Sequence, residues 1–144
     1  MGRQMFEKVL VAIDGSSQAV QALSAAQELG KLSGAEVRVV HVREIAFDRG
    51  DSDGPDPSEG RDEAKKLVDD AVAELTKAGL NATGAVRGAL AGHVAKDLLE
   101  EASEWGATVI VLGSRGLSDL AGLVVGSTTH KVLHLGHLPV LVVR

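Results

Sequence analysis

The sequence predicts an α/β fold in which helices cover both faces of an open parallel sheet. Apolar runs of strand length alternate with stretches whose apolar residues recur at helical spacing. The strand-like runs are nearly continuous in valine, isoleucine and leucine, as expected for strands buried on both faces. A length of 144 residues fits one domain, predicted to span 1–144.

Five apolar runs form the predicted strands. They cover residues 7–13, 36–42, 82–87, 108–112 and 139–143. The first run ends at Asp14, after which Ser16 and Ser17 open a helix.

Helical patterns fill the intervals between these strands. The apolar faces of the first three helices are Ala19, Ala22, Leu23, Ala26 and Leu29; Ala64, Leu67, Val68, Ala71 and Leu75; and Ala95, Leu98, Leu99 and Ala102. Gly30, Gly79 and Gly106 are predicted to end them, because glycine favours helix C-termini. A last short helix is predicted over 128–135, before Gly136.

Residues 44–63 interrupt this alternation. They hold eight acidic residues, two arginines, three glycines and two prolines, with few apolar side chains. Such a composition buries too little apolar surface to order a segment. We therefore expect a mobile acidic loop with no dedicated role, since its charge would repel a bound phosphate.

Composition excludes several classes of function. The net charge is −5 and the chain has two Phe, one Trp and no Tyr, so neither a basic surface nor a base-stacking platform for nucleic acid is expected. The absence of cysteine excludes disulfides, iron–sulfur clusters and thiol catalysis. No apolar run is long enough to span a membrane, and residues 1–8 lack a signal-peptide core, so a cytoplasmic protein is expected.

The spacing of glycines in the last third of the chain points to chemistry. Gly113, Gly116 and Gly126 follow the pattern G-x2-G-x9-G, and Ser127 comes next as a predicted helix N-cap. Backbone N–H groups of a glycine loop, together with a helix N-terminus, form an anion site that most often takes phosphate. Residues 113–144 carry three basic groups and one acidic group, which agrees with such a site.

The glycine loop and Asp14 each follow a predicted strand. Two adjacent parallel strands whose helices leave to opposite faces create the crevice in which nucleotides bind. The sequence therefore predicts a nucleotide site between these two strand ends.

These segments together resemble a universal stress protein of the ATP-binding type. The matching pieces are residues 9–16, 39–42, 113–116, 126–127 and 139–143. The resemblance implies a flavodoxin-like or Rossmann-like sheet of five strands in the order 3-2-1-4-5. It also implies an ATP-binding, nucleotide-responsive regulatory or stress-response module with little or no hydrolysis, in which Mg²⁺ or Mn²⁺ is held through the phosphates.

The resemblance assigns ATP contacts to individual residues. Asp14 would lie near the ribose or adenine, and the backbone of Val42 would contact the adenine edge. The full predicted set is Ala12, Ile13, Asp14, Val42, Gly113, Ser114, Arg115, Gly116, Gly126, Ser127 and Thr128. An alternative for Asp14 is a capping role at the following helix.

The glycine loop would hold the phosphate end of the ligand. Gly113, Arg115 and Gly116 would line the ribose and α-phosphate, and Gly126, Ser127 and Thr128 the outer phosphates. Glycine lets backbone approach phosphate where a Cβ would intrude, and the hydroxyls lie at a helix N-terminus. The alternatives are a solvated loop arginine at position 115 and helix capping alone at positions 127 and 128.

Two other functions are compatible with the sequence. One is a slow ATPase or self-phosphorylating enzyme, although no catalytic residue is predicted, because only Asp14 could serve as a base and no Walker-A lysine is present. The other is a structural dimer module that binds no nucleotide. His130 and His134 are four residues apart but have no further ligand in the pattern, so no metal site of the protein's own is expected.

The last predicted strand, 139–143, is apolar and lies at the sheet edge in the family topology. An exposed apolar edge favours pairing with a second copy. The sequence therefore predicts a homodimer formed through this strand.

Overall fold

A computed structural model describes residues 4–45, 57–114 and 126–144, and these ranges form one parallel sheet with helices on both faces. The elements are β1 (Lys8–Ala12), α1 (Ser17–Ser33), β2 (Glu36–Ile45), α2 (Pro57–Lys77), β3 (Ala82–Leu90), α3 (Val94–Trp105), β4 (Val109–Gly113), α4 (Ser127–Leu135) and β5 (Val140–Val143). The strand order is β3-β2-β1-β4-β5, and every pairing is parallel. The predicted fold class and strand order are confirmed.

Two apolar clusters, one on each face, hold the sheet. Val9 and Val11 of β1 pack with α1 and α2, whereas Leu10 between them packs with α3 and α4. Side chains alternate across a strand, so a strand covered on both faces is apolar at every position. This explains why β1 shows no alternation of polar and apolar residues.

The first helix continues beyond Gly30, so the predicted end was wrong. α1 runs to Ser33, and Gly34, at φ 70°, caps it in the left-handed conformation. Gly30 lies inside the helix because the sheet is close: a Cβ there would be 3.1 Å from Leu80 Cδ2 and 3.2 Å from Val37 Cγ2. Gly30 therefore permits close packing within the helix, and Gly34 ends the helix.

Both flanks of the segment 44–63 are regular structure, contrary to the predicted loop boundaries. β2 continues to Ile45, which is paired in register with Leu90 of β3. α2 begins at Pro57, and proline suits a first helical position because its missing N–H would have no helical partner there. Residues 46–56 lie outside the described part of the chain.

A charge network attaches α3 to the sheet. Glu101 accepts a hydrogen bond from Arg38 Nε at 2.7 Å and another from Arg87 Nη1 at 2.9 Å. The Glu101 side chain is only 9% exposed. Burial alone would raise the pKa of this carboxyl, but the hydrogen bonds from Arg38 and Arg87 outweigh it and hold the pKa below its usual value.

Helix composition also bears on membrane insertion. Among the residues that the structure describes, no helix combines the length and hydrophobicity that a membrane span needs.

Candidate functional site

A cavity of about 580 Å³ opens at the carboxyl ends of β1, β2 and β4. α1 follows β1 onto one face of the sheet, and α4 follows β4 onto the other. The cavity therefore lies where the direction of winding reverses, which is where ligands bind in open α/β sheets. Its walls come from all three strand ends and from all four helices.

The strand ends bring together residues that are far apart in the sequence. Ala12, Ile13 and Asp14 line the cavity from the end of β1. Val42 lines it from β2, and Gly113 from β4. The parallel pairing of β2 and β4 with β1 brings these predicted residues to the same edge of the sheet.

Asp14 also organises the start of α1. Its Oδ1 accepts the backbone N–H of Ser16 at 2.9 Å, and Ser16 Oγ in turn accepts the N–H of Ala19 at 3.1 Å. Ser16 is the N-cap of the helix. Asp14 thus has the capping role named as its alternative and, at the same time, lines the cavity.

The start of α4 is tied to the end of β4. Thr129 Oγ1 donates to the carbonyl oxygen of Gly113 at 2.8 Å, and the N–H of Gly126 donates to the carbonyl oxygen of Ser114 at 2.6 Å. Gly126 is the N-cap, with φ −68° and ψ 163°, and Ser127 is the first helical residue. Ser127 was therefore wrongly predicted as the N-cap, because the extended backbone that this position requires is adopted one residue earlier.

The predicted phosphate residues are not all placed alike. Thr128 lines the cavity. Ser114 is buried, its N–H donates to the carbonyl oxygen of Val143, and its hydroxyl donates to Gln18 Oε1 at 3.3 Å. It is not one of the described residues that line the cavity. Arg115 and Gly116 lie outside the described residues.

Gly113 has a packing reason for its lack of a side chain. A Cβ at this position would stand 3.1 Å from Gln18 Cβ and 3.3 Å from the Gln18 carbonyl atoms. The glycine therefore permits the close approach of α1 to the end of β4, whether or not a ligand is bound.

One wall of the cavity consists of residues that are not in the predicted site. Gly60, Glu63, Ala64 and Leu67 of α2 all line it. They are spaced i, i+3, i+4 and i+7, which is one face of a helix. This spacing is visible in the sequence, but Gly60 and Glu63 lie within residues 44–63, which are predicted as a loop.

The end of β2 supplies two further lining residues that were not predicted from the sequence. His41 and Arg43 both line the cavity. His41 Nδ1 lies 2.7 Å from the carbonyl oxygen of Ile13. A carbonyl can only accept, so Nδ1 carries the proton and Nε2 is an acceptor in the neutral ring.

Among the described residues that line the cavity, acidic side chains outnumber basic ones. Its carboxylates are Asp14, Glu44 and Glu63, and its only Lys or Arg within the described ranges is Arg43. A polyphosphate is therefore better placed away from Glu44 and Glu63, towards the N-terminus of α4, where the helix dipole favours negative charge.

Comparison with known proteins agrees with this architecture. The model of the universal stress protein family matches residues 5–144. The chain belongs to this family. Universal stress protein YxiE of Bacillus subtilis (strain 168) is 36% identical over 151 residues, covering 97% of this chain and all of the relative.

Solved structures of the family share the fold. A universal stress protein from Burkholderia pseudomallei is 31% identical, with a TM-score of 0.76 and 98% of both chains covered. The universal stress protein of Archaeoglobus fulgidus, solved in complex with dAMP, is 25% identical, with a TM-score of 0.73 over 98% of this chain and all of the other.

Proposed function

We propose that this universal stress protein binds an adenine nucleotide, ATP with Mg²⁺ or Mn²⁺, in the cavity at the strand ends. The observation that carries the proposal is the meeting of Asp14, Val42, Gly113 and Thr128 around one cavity at the reversal of winding. The related protein from Archaeoglobus fulgidus binds dAMP, which supports an adenine nucleotide as the class of ligand.

The residues fit a metal ion that is held mainly by the ligand. In the described ranges, no group of three or more His, Asp or Glu side chains is arranged to hold a metal. Asp14 and Thr128 line the cavity and offer oxygen atoms of the kind that Mg²⁺ takes alongside phosphate oxygens. The metal would neutralise phosphate charge next to an acidic lining, so ATP should bind more tightly with the metal than without it.

The proposed role is regulatory, with little or no turnover. Among the described lining residues, only Arg43 carries a permanent positive charge, and no lysine lines the cavity. Phosphoryl transfer depends on cationic groups that stabilise the transferring phosphate. We therefore expect bound ATP to change the state of the protein without rapid hydrolysis.

The experiment is a thermal melt with and without ATP, Mg²⁺ and both together. If the dissociation constant is about 10 μM, a hundredfold excess of ligand adds about 2.7 kcal/mol and raises Tm by about 5–10 °C at this chain length. Thr128→Val removes a hydroxyl in the cavity and Gly126→Val adds a side chain at the α4 N-cap, so both should reduce the shift. Thr76→Val, on an exposed turn of α2, is the matched control and should shift like the wild type. No shift in the wild type would overturn the proposal.

We also propose a homodimer formed through β5. β5 is an edge strand of the described sheet, with β4 as its neighbour, and Leu141 is 43% exposed there. Pairing with the same strand of a second copy covers both edges and gives a symmetric dimer. Sedimentation at micromolar concentration should give a dimer mass, and a monomer mass would refute this assembly.

A further inference from the structure

Arg43 occupies an unusual position in the cavity wall. It lies at the end of β2 and reaches the first turns of α2: a Cβ at Gly60 would stand 3.0 Å from Arg43 Nη2 and 3.6 Å from Cζ. The guanidinium therefore lies beside the helix where a side chain at position 60 would crowd it, and Gly60 is the one residue of that wall without a side chain. Gly60 and Arg43 both line the cavity, so this contact forms part of its surface.

The charge of Arg43 is not used by the rest of the described structure. The described salt bridges involve Lys8, Arg38, Lys65, Lys66 and Arg87, and none of them includes Arg43. Asp14, Glu44 and Glu63 line the same cavity, yet none is within ion-pair distance of the guanidinium. Within the described residues, the charge of Arg43 therefore has no ion-pair partner and remains available to a ligand.

The surroundings of Arg43 suit a flat apolar group better than a phosphate. Val42, Ala64 and Leu67 line this part of the cavity from β2 and α2. The carboxylates of Glu44 and Glu63 belong to the same two elements and would repel phosphate oxygens. An aromatic base is compatible with the apolar lining, against which it buries apolar surface, and with the carboxylates, because it carries no charge.

The end of the cavity at β4 and α4 suits phosphate better than the end at β2 and α2 does. Gly113 and Thr128 line it from the end of β4 and the start of α4. β1 lies between β2 and β4, so the two strand ends are about 10 Å apart. A nucleotide spans such a distance with its base at one end and its phosphates at the other.

We infer that Arg43, whose guanidinium lies beside Gly60 in the cavity wall, is the group on which the purine base of the ligand stacks. The inference rests on the proposed nucleotide site and adds a side chain that contacts the base of the ligand. Planar guanidinium groups stack on aromatic faces, and a lysine ammonium lacks that plane. The contribution of Arg43 to the binding affinity should therefore be the same for a nucleoside and for its phosphates.

The test compares adenosine, ATP with Mg²⁺, and inorganic tripolyphosphate by titration calorimetry. In Arg43→Gln, we expect the affinities for adenosine and for ATP to fall by the same factor, about tenfold, because base stacking on a cationic plane is lost. Arg43→Lys should show most of the same fall in affinity for adenosine and for ATP. Tripolyphosphate affinity should not change in either variant.

Arg61→Gln is the matched control. Arg61 follows Gly60 in α2, is exposed and does not line the cavity. Its substitution therefore removes the same charge without removing a contact to the ligand. A loss confined to ATP would show that Arg43 contacts phosphate and would overturn the inference, as would unchanged affinities in Arg43→Gln or full retention in Arg43→Lys. A wild-type protein that binds neither adenosine nor ATP would instead overturn the proposed nucleotide site itself.

Discussion

Replacing Glu101 by glutamine removes the negative charge at which two strands and a helix meet. The carboxylate accepts from Arg38 of β2 through Oε1 and from Arg87 of β3 through Oε2. Glutamine keeps one acceptor oxygen, but its amide group faces the second guanidinium as a donor facing a donor. One arginine therefore loses its acceptor at a position where the replaced side chain is 9% exposed.

The magnitude follows from these contacts. Each hydrogen bond between charged groups contributes about 1.5–3 kcal/mol. The loss is smaller than the sum because Arg38 and Arg87 are 24% and 21% exposed. Arg38 also keeps its hydrogen bond to Thr83, and Arg87 keeps Asp97 and Glu100. We expect the free energy of unfolding at pH 7 to fall by about 2–3 kcal/mol, which lowers Tm by about 7–10 °C for a chain of this length.

The same contact makes stability depend on pH with a defined sign. The pKa of Glu101 is lower in the folded protein than in the unfolded chain. Its contribution is therefore complete above the ordinary carboxyl pKa of about 4.3 and is lost as pH falls through the folded pKa. The difference in stability between wild type and Glu101→Gln should be constant from about pH 8 to pH 6 and should shrink below about pH 4.5.

Urea unfolding followed by circular dichroism at pH 7, 5.5 and 4 measures this difference. Glu104→Gln is the control, since that carboxylate contacts Arg87 Nη1 at 3.4 Å but is 70% exposed. Its effect should stay under about 0.5 kcal/mol. Equal losses in the two variants at pH 7, or a difference that grows on acidification, would refute the reasoning.

Two further substitutions test the packing that shapes the site. Thr129→Val should lower the free energy of unfolding by about 1–2 kcal/mol, measured in urea, because the carbonyl of Gly113 loses its buried donor; an unchanged midpoint would mean that another donor replaces it. Gly84→Ala should cost about 1–3 kcal/mol, because the new Cβ overlaps Val68 Cγ1 and lies 2.9 Å from Val72 Cγ2. Adding Val68→Ala should relieve part of that cost, and a double-mutant cycle with purely additive losses would contradict the overlap.

Much of the cavity's floor follows from local sequence. A continuous apolar run must be buried on both faces, and a parallel sheet brings all carboxyl strand ends to one edge. Asp14 and Gly113 each stand at the end of such a run, so their meeting at the cavity could be predicted without coordinates. The acidic composition of 44–63 predicts a loop over the whole segment, and this prediction was wrong at both ends. β2 continues to Ile45, and α2 begins at Pro57 and forms a wall of the cavity.

By itself, the sequence determined the element types, the burial of the strands and the family resemblance, because these depend on the periodicity and spacing of neighbouring residues. Only the tertiary structure decided that Gly30 packs inside a helix, that Glu101 lies between Arg38 and Arg87, and that Arg43 lies beside Gly60. Each of these contacts joins residues of different elements. Its existence depends on strand register and on how each helix docks against the sheet, and no local pattern encodes either of them.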